Sequence, residues 1–156
     1  MAYSRGTVFC SSLLKEVYNL TLLDSLGKRV RWLEETLPSL GVNAQCLTGR
    51  AEELVTDRRE TYDFATSRAV ARLNILLELT APFVKVGGAV LALKGAAAQE
   101  ELDEAKGAIQ RLGLKLEDKK TFPIDGANHT VLVLRKIAPT PSKYPRRYAK
   151  IKQSPL

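Results

Sequence analysis

Polar and charged side chains stand at or just after the ends of four predicted strands. They follow apolar runs at 20–23, 42–47, 62–66 and 89–93, and they are Asp24, Glu52, Arg68 and Lys94. A carboxylate after a strand can accept hydrogen bonds from sugar hydroxyls, and arginine can hold a phosphate or carboxylate through two bonds. Each residue alone could equally be a helix cap, a solvated turn residue or half of a surface ion pair. Together they predict a polar edge suited to an anionic or nucleoside-containing ligand.

The elements that would position this edge alternate along the chain. Helical spacing of apolar residues predicts helices over 26–37, 51–55, 73–83 and 99–112. Ser25 is expected to cap the first helix, Gly87-Gly88 to interrupt the chain before the strand at 89–93, and Gly113 to end the last helix. Strands at 114–122 and 129–137 flank a turn at 123–126 and should pair antiparallel. The order predicts an α/β fold with a mostly parallel sheet, helices on both faces and a terminal antiparallel hairpin.

Basic charge is concentrated toward the C-terminus. Residues 135–156 hold seven Lys or Arg and no acid, which leaves 17 basic and 17 acidic residues in the rest of the chain. Four prolines among polar residues predict an extended tail over 139–156, separate from a domain over 1–138. Such a tail favours an anionic partner, RNA above all, with bases stacking on Tyr144 and Tyr148. The cations expected to contact RNA are Lys143, Arg146, Arg147 and Lys150.

Composition excludes several other classes of function. The 156 residues contain no apolar run near the ~20 residues that span a bilayer, so we expect a cytoplasmic chain without a membrane partner. Two cysteines and one histidine offer too few ligands for a zinc site, so no metal is expected. The single histidine also disfavours Ser-His-Asp and Cys-His hydrolases. A nucleotide-binding oxidoreductase is disfavoured because no GxGxxG follows a predicted strand.

Five ordered motifs carry a resemblance to a known family. They are TLLDSLGKR (21–29), GRAEE (49–53), TSRAVA (66–71), ALKG (92–95) and TPSKYPRR (140–147). Within the class I methyltransferase (Rossmann-like) fold, this set resembles the bacterial small-subunit (16S) ribosomal RNA guanine-N7 methyltransferases, also called glucose-inhibited division protein B. The resemblance runs from about residue 20 to the end of the chain.

The resemblance implies a cofactor, a substrate and roles for particular residues. The cofactor would be S-adenosylmethionine, with Asp24 near its ribose, Ala51 and Glu52 framing its adenine, and Arg68 lining its pocket or entrance. Lys94 would lie near the site of methyl transfer as a catalytic residue. The partner would be small-subunit ribosomal RNA. Guanine N7 carries a lone pair and no proton, so the reaction needs positioning and desolvation rather than a base.

The N-terminal residues depart from the family pattern. Members carry a helical segment and then a first strand that ends in a loop of the type GxGxGFP, and residues 1–19 contain neither in readable form. Gly6 and Phe9 are the candidates for remnants of that cofactor loop, although Cys10 stands where a proline is expected. We therefore expect the first strand and the glycine loop to be missing, the sheet to expose two facing edges, and the chain to bind cofactor weakly, as a truncated fragment. The alternative function is an RNA-binding module with a basic tail and no catalysis.

Overall fold

A sheet of seven described strands forms the centre of the molecule. The computed structural model describes residues 2–3, 19–68 and 70–156. The strand order is β3-β2-β1-β4-β5-β7-β6, and β5–β7 and β6–β7 are the antiparallel pairs. The strands are β1 (Ala2–Tyr3), β2 (Leu20–Asp24), β3 (Ala44–Thr48), β4 (Tyr62–Arg68), β5 (Val84–Lys94), β6 (Leu114–Ile124) and β7 (Ala127–Lys136). The predicted α/β class, with a mostly parallel sheet and a terminal hairpin, is confirmed.

The first strand, which we expected to be missing, is present at the centre of the sheet. Ala2 pairs with Leu22 of β2 and with Thr66 of β4, both in parallel. The prediction of two unpaired edges facing each other is therefore wrong. Backbone amide and carbonyl groups alone build the ladder, so two residues can bridge two strands without the apolar run by which a sequence reveals a strand. The candidate loop remnants Gly6 and Phe9 lie outside the described residues.

Helices cover the sheet unequally. They are α1 (Gly27–Thr36), α2 (Ala51–Leu54), α3 (Leu73–Thr80), α4 (Ala98–Glu104), α5 (Lys106–Arg111) and α6 (Tyr148–Gln153). Short 3-10 turns follow at Pro38–Leu40, Thr56–Arg58 and Ala81–Phe83. α3, α4 and α5 pack on one face through a cluster that includes Leu77, Leu102 and Leu132, whereas α1 packs on the other through Leu22 and Leu37.

Three local predictions differ from the structure. Ser25 does not cap α1: the N-cap is Leu26, which has no side-chain bond, and Asp24 Oδ1 accepts the Leu26 amide instead. The helix predicted at 99–112 is divided at Ala105 into α4 and α5. β5 runs through Gly87-Gly88 with a register shift against β4. A Cβ on Gly88 would collide with the Asp63 carbonyl oxygen, so glycine serves close strand approach there.

The hairpin and its turn agree with the sequence. β6 and β7 pair antiparallel from Leu114–Lys136 to Ile124–Ala127. The two turn residues Asp125 and Gly126 both have positive φ, as a tight hairpin turn requires.

The C-terminal segment, residues 139–156, is not an extended tail. Tyr144 and Ile151 are buried in two of the hydrophobic clusters, and residues Tyr148–Gln153 form α6. Two carboxylates, one half-buried and one fully buried, bind its backbone: Glu60 Oε1 accepts the Thr140 amide at 2.8 Å and Glu78 Oε1 accepts the Arg146 amide at 2.9 Å. The proline-rich composition concealed two isolated apolar residues that are enough to anchor the segment. The division at residue 138 itself stays a prediction.

Candidate functional site

The carboxyl ends of β2, β3, β4 and β5 meet at one edge of the sheet. Asp24 pairs with Thr48 at the ends of β2 and β3, and Arg68 pairs with Leu93 at the ends of β4 and β5. Ligands of open α/β sheets bind beyond this edge. The structure thus brings Asp24, Ala51, Glu52, Arg68 and Lys94 to the same side of the molecule, while the roles assigned to them stay predictions.

Asp24 organises the start of α1. Its Oδ1 accepts the Leu26 amide at 2.9 Å, and its Oδ2 accepts from Arg29 Nη1 at 3.1 Å. Arg29 is half exposed, so it can move away at little cost. A carboxylate has about four lone-pair sites, and two remain here for sugar hydroxyls. Asp24 can therefore hold the Leu26 amide at the start of α1 and bind a ribose at once.

The loop after β3 places Ala51 and Glu52. Ala51 is buried at the start of α2. Glu52 is largely buried; its Oε1 lies 3.8 Å from Arg50 Nη1 and accepts the Tyr148 amide at 3.3 Å. The carboxylate that the family resemblance assigns to adenine thus also binds the first residue of α6. Sequence reasoning gave no sign of this link to the C-terminal segment.

Lys94 is committed to the loop that follows β4. Its Nζ donates to the Ala71 carbonyl at 2.6 Å and to Glu101 Oε2 at 2.7 Å, and its side chain is buried. The same Glu101 oxygen accepts the Leu73 amide at 2.7 Å. Lys94 therefore holds residues 71–73 beside the carboxyl edge, and Glu101 neutralises its charge.

Arg72 reinforces the same loop from the surface. Its guanidinium donates to Glu104 at 2.9 and 2.7 Å and to Glu100 at 2.7 Å. Hydrogen bonds from Glu100 and then Glu104 raise the pKa of Arg72 above its ordinary value. All three side chains are substantially exposed, so this network positions the loop more than it stabilises the fold.

Ser67 is a residue that sequence reasoning missed. Its side chain is 2% exposed, and its Oγ has no hydrogen-bond partner among the described residues. It pairs with Tyr3 of β1, which places it at the centre of the carboxyl edge. A buried unpaired hydroxyl costs about 1–3 kcal/mol, so a ligand that supplied a partner would recover that energy. Nothing in the sequence separates this serine from the other serines of the chain.

Arg68 differs from Lys94 in being open to solvent. It is exposed, and within residues 19–68 and 70–156 no ion pair or hydrogen bond engages its guanidinium. Alternation along β4 puts its side chain on the face opposite that of the buried Ser67. Arg68 is therefore free to bind an anion at the edge.

The four basic residues expected to contact RNA divide into two kinds. Arg146 donates from Nε and Nη2 to the fully buried Glu78 at 2.8 and 2.7 Å, and this pairing raises the pKa of Arg146. Lys143, Arg147 and Lys150 are exposed. The guanidinium face that Arg146 would offer to a phosphate is thus already used inside the protein.

The described residues show neither a membrane helix nor a metal cluster. No helix among them is long and apolar enough to cross a bilayer. In the same residues, His, Cys, Asp and Glu nowhere gather in threes that could hold a metal ion.

The strand order, the polar carboxyl edge and the terminal hairpin define the fold of S-adenosylmethionine-dependent methyltransferases. Two solved structures show the same fold: M. jannaschii TYW2 in complex with AdoMet (TM-score 0.66, 14% identity, 87% of this chain and 68% of that chain) and the antibiotic-resistance methyltransferase Kmr (TM-score 0.64, 18% identity, 87% and 85%).

The family model for GidB, rRNA small subunit methyltransferase G, matches residues 10–129. The chain belongs to this family. The Ribosomal RNA small subunit methyltransferase G of Lactobacillus johnsonii is 46% identical over 143 residues, which are 88% of this chain and 60% of that protein. The chain thus spans about 60% of the length of such curated relatives. The family predicted from five sequence motifs is confirmed.

Proposed function

We propose that this chain forms the cofactor and methyl-transfer part of an S-adenosylmethionine-dependent enzyme that methylates guanine N7 in small-subunit ribosomal RNA. The observation that carries the proposal is the position of Asp24 at the end of β2, in a sheet with the strand order of methyltransferases. The chain itself belongs to a family of rRNA methyltransferases. S-adenosylmethionine, when bound, supplies an electrophilic methyl group.

The residues at the edge suit such a ligand. Asp24 keeps two lone-pair sites for ribose hydroxyls, and Ala51 offers a small buried surface at the start of α2, where an adenine can lie. Ser67 Oγ at the centre of the edge, which lacks a hydrogen-bond partner among the described residues, would give the bound molecule a further polar contact. These features support binding at the edge, and in the proposal each side chain contacts a distinct part of the ligand.

Positioning and desolvation are the contributions expected of the protein. Guanine N7 has no proton to remove, so no general base is needed. Lys94 and Glu101 fix residues 71–73 beside the edge, and a fixed loop can orient a base and exclude water. In this proposal Lys94 is a positioning residue, because its ammonium is engaged by Glu101.

Isothermal titration calorimetry of the purified chain with S-adenosylmethionine tests the proposal directly. Dissociation constants in the micromolar range, about −8 kcal/mol, would support it and would contradict the weak binding expected from an unreadable glycine loop. RNA binding without any detectable cofactor binding would identify the non-catalytic alternative, which the exposed Lys143, Arg147 and Lys150 favour.

Titration of the Asp24→Asn variant tests whether the Asp24 carboxylate contributes to cofactor binding. The amide oxygen of asparagine can still accept the Leu26 amide, while the charge that strengthens bonds to ribose is lost. We expect about a tenfold or greater loss of cofactor affinity, because bonds to charged groups contribute about 1.5–3 kcal/mol. Asp57→Asn, at an exposed turn away from the edge, is the matched control and should leave affinity unchanged. Equal affinities of the two variants would limit the role of Asp24 to holding the Leu26 amide at the start of α1.

A further inference from the structure

The β6–β7 hairpin extends past the edge of the sheet at which the candidate site lies. Lys94, the last residue of β5, pairs with Thr130 of β7, which in turn pairs with Thr121 of β6. Three further residues of each strand, up to Ile124 and from Ala127, continue beyond that level. At about 3.4 Å per residue, the hairpin overhangs the carboxyl edge by about 10 Å.

Strand register aligns four side chains across one face of the sheet at this edge. Arg68 pairs with Leu93, Leu93 with Val131, and Val131 with Lys120. Paired residues of neighbouring strands share a face, so this carboxyl-edge row (Arg68, Leu93, Val131 and Lys120) lies on one side. Three strand spacings separate its ends, about 14 Å. Phe122 and His129, paired with each other, continue the same face onto the overhang.

The row lies on the face that α3, α4 and α5 leave open. The neighbours of its members, Ala92 and Leu132, point to the other face and are buried in the core. Leu93 and Val131 are half-buried, whereas Phe122 is 47% exposed and the side chain of Lys120 is 67% exposed. The row thus has two apolar side chains in its middle and a cation at each end. Phe122 lies on the same face, farther out along the hairpin.

The charges at the two ends are available to a partner. Arg68 has no ion pair or hydrogen bond from its side chain within the described residues. Lys120 lies 3.3 Å from Asp118, but both side chains are largely exposed, so that pair is weak and easily exchanged.

We propose that the carboxyl-edge row and Phe122 bind a short single-stranded stretch of RNA next to the methyl-transfer site. The inference rests on the proposed function for the identity of the RNA, and it adds the surface that receives the substrate. Arg68 and Lys120 bind phosphates, a base stacks on Phe122, and sugars and base edges lie over Leu93 and Val131. Sheet faces that stack two or three bases on aromatic side chains bind RNA in this way.

The chemistry favours a single strand over a duplex or a protein. A duplex keeps its base faces stacked, so the exposed Phe122 ring would have nothing to receive. Two cations some 14 Å apart, on either side of the half-buried Leu93 and Val131, match the repeating charge of a nucleic acid backbone. An apolar protein partner would supply no counterion for Arg68. A nucleotide held here would lie within reach of the edge where β2, β4 and β5 end.

Fluorescence anisotropy with an end-labelled, mixed-sequence RNA of about a dozen nucleotides tests the proposal on the whole chain without any need for cofactor. Phe122→Ala should weaken binding about five- to 100-fold, as loss of one stacked base does, and should leave the salt dependence unchanged. The double variant Arg68→Ala, Lys120→Ala should lower the slope of log affinity against log salt by about 1.4, since each phosphate contact on a single strand contributes about 0.7.

Matched controls come from the same molecule. Val86→Ala removes a comparably exposed apolar side chain from the opposite end of β5. Lys115→Ala with Arg31→Ala removes two exposed charges, one of them from the opposite end of β6. Because all these positions are exposed, circular dichroism spectra and melting temperatures should stay close to those of the parent chain.

Several outcomes would overturn the proposal. One is an RNA affinity of Phe122→Ala equal to that of Val86→Ala, and another is a salt slope of the Arg68/Lys120 double variant equal to that of its control. The proposal would also be wrong if the parent chain bound a fully paired duplex as tightly as the single strand, or did not bind the single strand at all. Binding that depends on the row in a chain that fails to bind S-adenosylmethionine would support this surface while contradicting the proposed function.

Discussion

The ion pair between Arg146 and Glu78 decides whether the C-terminal segment is part of the fold. Glu78 is fully buried on α3 and accepts three hydrogen bonds from Arg146, one from the amide and two from the guanidinium. Arg146→Ala removes the two charge-assisted bonds and leaves a buried carboxylate with one amide donor. Removing one partner of a buried pair costs about 3–5 kcal/mol in the free energy of unfolding. For a domain of this size that predicts a fall in melting temperature of about 6–20 °C.

Urea and thermal unfolding, followed by circular dichroism, measure this loss. Arg72→Ala is the matched control, because it also removes an arginine bound to two acidic side chains, but an exposed one, and should lower the free energy of unfolding far less. The double variant Glu78→Met, Arg146→Met should recover part of the loss, since an apolar pair of similar volume often replaces a buried ion pair without penalty. The recovery is incomplete because the backbone amide of residue 146 loses its acceptor.

The same variants separate a structural role of Arg146 from a role in RNA binding. If Arg146 stabilises the fold and does not contact RNA, the Arg146→Ala variant should bind RNA with the same salt dependence as the parent chain, when both are measured at a low temperature at which the variant is folded. Equal losses of unfolding free energy in Arg146→Ala and Arg72→Ala would refute the reasoning, as would a marked flattening of the RNA salt slope in a fully folded Arg146→Ala.

Three further predictions concern charge and exposure. Burial lowers the pKa of Lys136 below 10.5 even though Glu60 opposes this shift. Between the lowered pKa and 10.5 the unfolded chain binds more protons than the folded chain, so the contribution of Lys136 to the free energy of unfolding should rise with pH. If urea unfolding gave a difference between the parent chain and Lys136→Met that stayed constant with pH, the prediction would be wrong. Replacing the exposed Lys143, Arg147 and Lys150 by alanine should flatten the RNA salt slope by about two without changing the melting temperature, and an unchanged slope would show that these cations only solvate the surface. Burial, and secondarily Glu34, raises the pKa of the Cys46 thiol above 9.0. Iodoacetamide should therefore modify Cys46 more slowly at pH 8 than it modifies a free cysteine, and Glu34→Gln should make the reaction faster. Peptide mapping by mass spectrometry measures both rates, and modification as fast as that of the free thiol would argue against the effect.

Strands and helices that repeat apolar residues with a regular period were predictable from the sequence. β2 and α1 were evident because the apolar run at 20–23 is followed by Val30, Leu33 and Leu37 at helical spacing. The hairpin was evident because Asp125-Gly126 favours positive φ between two strand-like segments. Positions at strand ends, such as Asp24 and Lys94, could also be assigned to one edge, since the direction of parallel strands fixes where they end.

Features that depend on contacts distant in sequence were not predictable. β1 has only two residues, and its backbone bonds leave no trace in the residue pattern. Tyr144 and Ile151 stand alone among polar residues, and only the folded clusters around them show that they are core. The ion pair of Lys94 was not predictable, because its partner Glu101 lies on α4, where an acidic residue in the first turn is ordinary.

Carboxylates that bind the backbone of the C-terminal segment also impose an order on folding. Glu60, Glu78 and Glu52 accept amides that lie 80, 68 and 96 residues away along the chain, at Thr140, Arg146 and Tyr148. During synthesis the acceptors are made long before their donors, and contacts of such wide separation form slowly. Until residues 139–156 emerge from the ribosome, Glu78 has no partner from that segment. A nascent chain that has already formed its sheet would therefore remain open on the α3 side, where a chaperone could still bind it, and would close there only after this segment has emerged.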